Sequence, residues 1–305
     1  MAKGVKTGTR TRRLTRGQKK KVTKRKVGQR AKLPGSFRLT WRVLKIFREN
    51  WRTLGGIVLV YLVLNIVFAS GISGLSSSVA DIKANLQSGG SLGGAITGFS
   101  SLVGSAGTGG SQTASVLQGV LIILESLVII WALRHLLAGK KIGIKQAYYQ
   151  SMFPLIPFML VVFVIFIQLL PLTIGWPIFS AILGVIFNPG AMLTGLSLII
   201  FGLLAAWSFY MISSSIFAIY IVTLPDMQPR PALRSAKDLV KFRRWALMRK
   251  VFFLPVFILV VMGIIVVPLI AFASFLVAPV FYALSMLAIL FIHTYLYSLY
   301  RSLLE

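Results

Sequence analysis

Six apolar runs, each close to 20 residues long, are the feature that most limits what this chain can fold into. A helix of about 20 apolar residues is long enough to cross the hydrocarbon core of a bilayer. The chain has 56% hydrophobic and only 13% charged residues, whereas soluble domains carry about 25% charged residues. The runs lie at about residues 55–72, 114–137, 154–174, 192–218, 251–272 and 276–297. The sequence therefore predicts an all-α integral membrane protein with six transmembrane helices.

A seventh apolar segment, GWPIFSAILGVIFNPG, occupies residues 175–190 between the third and fourth runs. Its apolar core is about 12 residues, which is short of the roughly 20 that a span needs. We interpret it as a re-entrant or interfacial segment on the outer side of the membrane. The alternative is that it spans, which would give seven spans and move the carboxyl terminus to the other side.

Lysine and arginine are concentrated in alternate connections between the runs. Residues 1–35 are densely basic and are predicted to form a disordered cytoplasmic tail ahead of a six-span membrane domain, residues 36–305. Basic segments recur at 138–146 and 230–250, while the intervening connections are nearly uncharged. Cytoplasmic loops are enriched in lysine and arginine. The pattern therefore predicts a multi-pass protein of the cell (cytoplasmic) membrane with both termini in the cytoplasm.

The segment SFRLTWRVLKIFRENWRTLGG, residues 36–56, has the pattern of an amphipathic helix just before the first run. Basic residues recur at spacings of three and four, and phenylalanine and tryptophan supply the apolar side. Such a helix is expected to lie in the plane of the lipid headgroups. The residues predicted to contact headgroups or other anions, here and in residues 230–250, are Arg38, Arg42, Lys45, Arg48, Arg234, Lys241, Arg243 and Arg244.

This arrangement recurs along the chain. PALRSAKDLVKFRRWALMRK precedes the fifth run, and a weaker copy, IGIKQAYYQSMF, precedes the third. The chain can thus be divided into three units, each a cytoplasmic amphipathic elbow helix followed by two spans. Segments beside a membrane are generally basic and aromatic, so a true repeat and a shared membrane environment are both open explanations.

The passage IYIVTLPDMQPRPALRSAKDLVKFRRWALMRKVFFLPVFILVV resembles the signature region of a broad group of six-span bacterial membrane proteins. That group includes the membrane domain fused to some glycerophosphodiester phosphodiesterases, together with uncharacterised families. The matching residues are Pro225, Asp226, Ala232, Leu233, Ser235 and Leu239. The resemblance implies the six-span topology with elbow helices, and it implies no catalytic residues.

Glu125 is the most costly residue for a membrane span in this chain. An ionised carboxylate near mid-bilayer costs about 2.5–3.5 kcal/mol on insertion scales, so a partner or a proton is expected. Asn65 should lie at a similar depth and is the preferred partner, while His293 should lie nearer the cytoplasmic side. Two interpretations are open: a proton- or cation-coupled site, or one neutral glutamic acid that is hydrogen-bonded between packed helices.

The fourth run carries small residues along one side, at Gly195, Gly202, Ala206 and Ser213. Small residues let membrane helices approach closely, so this side is predicted to be a helix-packing seam. The chain has no cysteine and only two histidines. Neither a catalytic residue, nor a metal site, nor a cofactor is predicted.

Three functions remain after these exclusions. The first is a non-enzymatic scaffold or lipid-interacting helper whose partners are membrane lipids, of anionic type. The second is a small-solute or proton-coupled transporter that uses Glu125. The third is a tether in which the tail contacts RNA or ribosomes, although residues 1–33 contain no aromatic side chain to stack on a base. The sequence names no protein partner.

Overall fold

The computed structural model describes residues 34–69, 112–186 and 191–304. These described residues form eleven helices and no strand. Six of the helical segments are long and apolar enough to cross a membrane. The predicted all-α fold, with six helices long and apolar enough to span a membrane, is confirmed for these described residues. The predicted tail before Pro34, and the glycine- and serine-rich connection that follows the first span, lie outside the described residues.

The helices are numbered here in chain order. They are α1 Ser36–Glu49, α2 Trp51–Ala69, α3 Gln112–Leu136, α4 Ile144–Ser151, α5 Leu155–Thr173, α6 Gly175–Ile186, α7 Ala191–Ser215, α8 Ala218–Val222, α9 Pro229–Val240, α10 Arg244–Phe272 and α11 Ser274–Leu304. The candidate spans within them are Trp51–Phe68, Ser115–Leu136, Leu155–Val185, Gly195–Val222, Arg244–Ile270 and Phe275–Leu304.

The third span is longer than the sequence predicted. Helix α6 follows α5 after a single residue, Ile174, whose N–H donates to the Leu170 carbonyl at 2.9 Å and whose carbonyl accepts from Ile178 at 3.3 Å. The helical hydrogen bonding thus continues across the junction. Residues 175–186 therefore continue the helix of the third span and do not form a separate element. Their predicted re-entrant or interfacial location stays a prediction. The sequence missed the continuation because a short apolar run has no marker of the helix that it continues.

The long helices pair as three antiparallel hairpins. Helix α2 packs against α3, the α5–α6 segment against α7, and α10 against α11. Helix α11 also contacts α1, α2 and α3, so the buried core is concentrated around α3 and α11. A short helix, α1, α4 or α9, precedes the first long helix of each hairpin.

Specific side-chain contacts join several helix ends on one side of the bundle. The Lys250 amino group donates to the Pro34 carbonyl, Arg301 donates to the Leu137 carbonyl at 3.1 Å, and Arg134 donates to the Thr223 carbonyl at 2.6 Å. We call this side the basic end. Its lysines and arginines are Arg38, Arg42, Lys45, Arg48, Arg52, Arg134, Lys140, Lys141, Lys145, Arg230, Arg234, Lys237, Lys241, Arg243, Arg244, Arg249, Lys250 and Arg301, and its acids are Glu49, Asp226 and Asp238.

Among the aspartates, glutamates, lysines and arginines of the described parts of the chain, Glu125 alone lies away from the basic end. Every other aspartate, glutamate, lysine and arginine of those parts is at the basic end. Charge is costly in hydrocarbon and favourable among headgroups and water. The distribution is the one expected of a bundle that meets a membrane surface at this end.

Candidate functional site

Glu125 lies in the interior of the bundle, on α3, and is 2% exposed. Its Oε2 atom accepts a hydrogen bond from the Tyr148 hydroxyl at 2.8 Å. The same hydroxyl lies 3.2 Å from the Ile57 carbonyl oxygen of α2. Tyr148 belongs to the short helix α4, so this one side chain joins α4 to both helices of the first hairpin. Glu125 Oε1 is buried and has no hydrogen-bond partner among the described residues.

These contacts favour a neutral Glu125. Tyr148 has one hydroxyl proton and two acceptors within reach. If Glu125 is protonated on Oε2, it donates to Tyr148, which in turn donates to Ile57, and both contacts are satisfied. An ionised Glu125 would leave Oε1 as a buried anionic atom with no donor, which is costly. Burial raises the pKa of Tyr148, so Tyr148 keeps its proton.

Asn65 is fully buried on α2, but it does not pair with Glu125. Its Oδ1 atom accepts from the Tyr282 hydroxyl of α11, and its Nδ2 group donates to the Tyr61 hydroxyl at 3.4 Å. The predicted pairing of Asn65 with Glu125 was therefore wrong, because two tyrosines occupy the polar atoms of Asn65. The Asn65 bonds hold α2 to α11.

His293 belongs to a separate polar contact one residue along α3 from Glu125. Its Nε2 lies 2.9 Å from the Ser126 hydroxyl, which donates its own proton to the Ile122 carbonyl at 2.7 Å. Nε2 must then be the protonated nitrogen, and Nδ1 can accept from the Tyr220 hydroxyl at 3.4 Å. A neutral His293 with this tautomer satisfies both contacts. The structure therefore brings Glu125, Asn65 and His293 to the same bundle interior without a direct bond between any two of them.

The predicted packing seam on the fourth run is not formed within the described chain. Gly195, Gly202 and Ala206 are exposed, and a Cβ atom added at either glycine would meet no other atom within 4 Å. Ser213 is buried. The seam prediction was wrong for the first three residues, because an apolar helix gives no sequence sign of which side meets protein and which meets lipid.

The residues predicted to contact headgroups all lie at the basic end. Arg38, Arg42, Lys45, Arg48, Arg234 and Lys241 are exposed, and Arg243 and Arg244 are partly buried. Lys45 forms an ion pair with Glu49 at 3.8 Å. The Arg244 guanidinium lies 4.8 Å from the centre of the Tyr210 ring, within the range of a cation–π contact.

A cleft of about 820 Å³ opens at the basic end between α3, the α4–α5 junction and the α8–α9 turn. Its polar lining includes Arg134, His135, Gln150 and Asp226, and its apolar lining includes Leu127. Arg134 is held by the Thr223 carbonyl and hydroxyl, each at 2.6 Å, and by the Tyr220 carbonyl at 3.1 Å. All three acceptors are neutral, so they position the guanidinium without compensating its charge.

His135 is a second polar group of the cleft that is held in place. The His135 ring stacks on Trp131 with 4.0 Å between ring centres, and His135 Nδ1 lies 3.0 Å from the Trp131 carbonyl. Asp226 has a φ of 57°, a left-handed conformation that aspartate tolerates better than most residues. Within the described ranges no three histidine, aspartate or glutamate side chains come together as a metal site would require.

No protein-family model matches this chain, and neither a curated protein nor a solved structure is similar to it. The resemblance to the membrane domain fused to some glycerophosphodiester phosphodiesterases therefore stays a prediction, which rests on Pro225, Asp226 and the residues around Ala232.

Sequence reasoning missed the tyrosines of the bundle interior. Tyr61 lies one helical turn before Asn65 and on the same side of α2, a spacing that could have indicated it. Tyr148 lies in a short basic segment, eight residues beyond Lys140, where nothing in the pattern points toward Glu125. Tyr220 and Tyr282 likewise lie within long apolar runs, where a tyrosine is as easily placed at a membrane surface as in a core.

Proposed function

We propose that this protein is a non-enzymatic membrane protein that holds anionic phospholipid at the cytoplasmic surface of the cell membrane through its basic end. The observation that supports this most is the segregation of charge. In the described parts of the chain, all lysines and arginines lie at one end of the bundle, where they outnumber the acids eighteen to three. Each such residue near an anionic surface contributes about 1 kcal/mol.

Helix α1 supports the proposal because it has three distinct sides rather than two. Leu39, Val43 and Ile46 are buried against the bundle. Phe37 and Trp41 are about three-quarters exposed, at 76% and 75%. The basic residues Arg38, Arg42 and Lys45 form the third side. Helix α1 thus packs on the bundle with one side and exposes tryptophan and phenylalanine next to a row of basic residues. This arrangement suits the boundary between acyl chains and headgroups.

The start of α10 offers a second aromatic and basic surface. Trp245 is 85% exposed and Phe242 is 55% exposed, next to Arg243 and Arg244. Amphipathic aromatic rings are favoured at the level of the headgroups. In the proposal α1, α4 and α9 are therefore elbow helices at the cytoplasmic surface, each followed by two spans, and residues 1–35 add further positive charge there.

The proposal is tested by measuring lipid retention with native mass spectrometry on protein released gently from its own membranes. We expect the triple variant Arg38→Gln, Arg42→Gln, Lys45→Gln to retain phosphatidylglycerol about 100-fold less, because three charges at about 1 kcal/mol each are removed. The matched comparison is Lys140→Gln, Lys141→Gln, Lys145→Gln, which removes the same charge from the α3–α4 connection. The difference between the two triple variants measures what the exposed aromatic side chains of α1 add to the charge.

Two outcomes would contradict the proposal. One is equal retention of phosphatidylglycerol by both triple variants and the unaltered protein. The other is RNA or a ribosomal protein that is released with the intact chain and lost on deletion of residues 3–32, which would favour the tether function.

A coupled site at Glu125 is the second candidate function, and the observation that favours it is the buried, unpartnered Oε1 atom. Glu125→Gln keeps the size of the side chain and removes its ability to ionise. A proton flux into liposomes that requires Glu125 and is absent from the Gln variant would support a transporter. Equal flux and equal stability in both proteins would leave Glu125 a packing residue.

A further inference from the structure

We infer that the cleft at the basic end binds a phosphoethanolamine group, the headgroup of a zwitterionic phospholipid. This inference goes beyond the proposed contact with anionic lipid, which involves exposed side chains of α1 and α10. The cleft is instead a concave site that is lined by groups of both charges.

The positive group of the site is Arg134. Its contacts with Thr223 and Tyr220 use three of the five N–H donors of a guanidinium. The one ion pair within the described ranges is Lys45–Glu49, so no described carboxylate compensates the charge of Arg134. A guanidinium that is anchored in this way and lines a cleft is suited to a phosphate, which offers acceptor oxygens and negative charge.

His135 adds a hydrogen-bond acceptor to the cleft. Its Nδ1–H donates to the Trp131 carbonyl at 3.0 Å, and the ring is stacked on Trp131. Nε2 of the neutral ring is therefore an acceptor that remains for an ammonium N–H of a ligand. Arg134 and His135 both line the cleft.

The negative group is Asp226, on the α8–α9 turn. It lines the same cleft, and like Arg134 it has no ionic partner among the described residues. The backbone of Asp226 is left-handed, with a φ of 57°. Residues other than glycine that have this conformation are often found at ligand-binding sites. A purely anionic ligand would be repelled by Asp226 and a simple cation by Arg134. A ligand that carries both a phosphate and an ammonium group meets both.

The apolar lining indicates where an acyl chain would lie. Leu127 is seven residues before Arg134 on α3, which is about 10 Å along the helix axis. Val222 and Pro157 also line the cleft. The cleft thus offers apolar contacts beside its charged groups, and a volume of about 820 Å³ suits a headgroup and part of a chain.

The test is a lipid titration of the delipidated full chain, with native mass spectrometry as the readout and matched acyl chains on phosphatidylethanolamine and phosphatidylglycerol. The protein titrated carries Arg38→Gln, Arg42→Gln and Lys45→Gln, so that phosphatidylglycerol bound at α1 is not counted. In this background we expect phosphatidylethanolamine to bind about ten-fold more tightly than phosphatidylglycerol, equivalent to about 1.4 kcal/mol. Asp226→Asn should abolish this preference. Asparagine also tolerates the left-handed conformation, so the turn is kept. Asp238→Asn, an exposed acid of α9 outside the cleft lining, is the control and should keep the preference.

A competition with free glycerophosphoethanolamine on the unaltered protein needs no variant and identifies the source of the headgroup. Displacement of the bound lipid would indicate a soluble ligand as well as a lipid one, and absence of displacement would indicate that the acyl chain is required. Equal binding of the two lipids in the background that lacks the three basic residues of α1, or an unchanged preference when Asp226→Asn is added to it, would overturn the inference.

Discussion

Two pairs of helices with nearly the same apolar character occupy very different surroundings in this bundle. In α3, half of the most apolar window is buried inside the protein, and in α11 a third is buried. In the middle hairpin, made of α5, α6 and α7, the corresponding fractions are 11% and 6%. The difference shows that hydrophobicity places a helix in the membrane, whereas polar side chains mark the side that meets protein. Glu125, Asn65 and His293 all lie in the densely packed part.

The largest effect should come from truncating a core residue, with an exposed residue of the same type for comparison. Ile130 on α3 is fully buried, whereas Ile199 on α7 is 61% exposed. Ile130→Ala should lower the free energy of unfolding by about 2–5 kcal/mol, and Ile199→Ala should change it little. Reversible unfolding in mixed micelles measures both. A comparable loss for Ile199→Ala would mean that another protein chain covers the middle hairpin.

The next effect concerns the bond that ties α4 to the interior. Tyr148→Phe removes the hydroxyl that contacts Glu125 and leaves a buried polar group without its partner, at a cost of about 1–3 kcal/mol. Tyr149→Phe is the control, because Tyr149 is 76% exposed. The same unfolding measurement separates the two. If Tyr148→Phe were as stable as Tyr149→Phe, the Glu125–Tyr148 contact would not hold α4 in place.

Glycine replacements should affect stability differently in the two regions. Gly202→Ala on α7 should raise the free energy of unfolding by about 0.5–1 kcal/mol, since alanine favours the helix and nothing lies within 4 Å of the new methyl group. At Gly56 on α2 the new methyl would lie 2.2 Å from Ile144 Cδ1, so Gly56→Ala should give no such gain. A loss of stability in Gly202→Ala would point to a close neighbour on that side.

The smallest effect should come from the polar contact that joins the helices of the middle hairpin. Gln168 donates to the Ser215 hydroxyl at 2.8 Å. Ser215→Ala should cost about 0.6 kcal/mol, the average for hydrogen bonds between membrane helices. Ser214→Ala is the comparison, because the Ser214 hydroxyl bonds only its own helix, at the Met211 carbonyl. Equal stability of the two variants would mean that apolar packing alone holds α5 to α7.

The six spans could be predicted because each needs only a run of apolar residues and a break. Their ends were less predictable. The fifth span begins at Arg244 rather than near residue 251, and the third runs on to Val185. At Ile174 the helical hydrogen bonds continue, and the composition of the sequence does not change there. At Arg244 the aliphatic part of the side chain can lie along an apolar surface while the charged guanidinium stays in water, so an arginine can begin a span.

The interior site was predicted only in part, for a physical reason. Glu125, Asn65 and His293 stand out because a polar group in hydrocarbon requires a partner. The partners themselves come from other helices, and their identity depends on rotation and depth, which spacing within one helix does not determine. Tyr148 reaches Glu125 from a short helix, and Arg134 reaches Thr223 across 89 residues of sequence.

The central claim is that α1 lies at the membrane surface with its aromatic side in the acyl region and its basic side toward water. The chain contains no cysteine, so a spin label can be placed at a single introduced cysteine, either Trp41→Cys or Arg42→Cys, in liposomes that contain phosphatidylglycerol. We predict that the label at position 41 is relaxed mainly by oxygen, which partitions into the bilayer, and the label at position 42 mainly by a water-soluble nickel complex. Equal and strong relaxation of both labels by the nickel complex would contradict the claim.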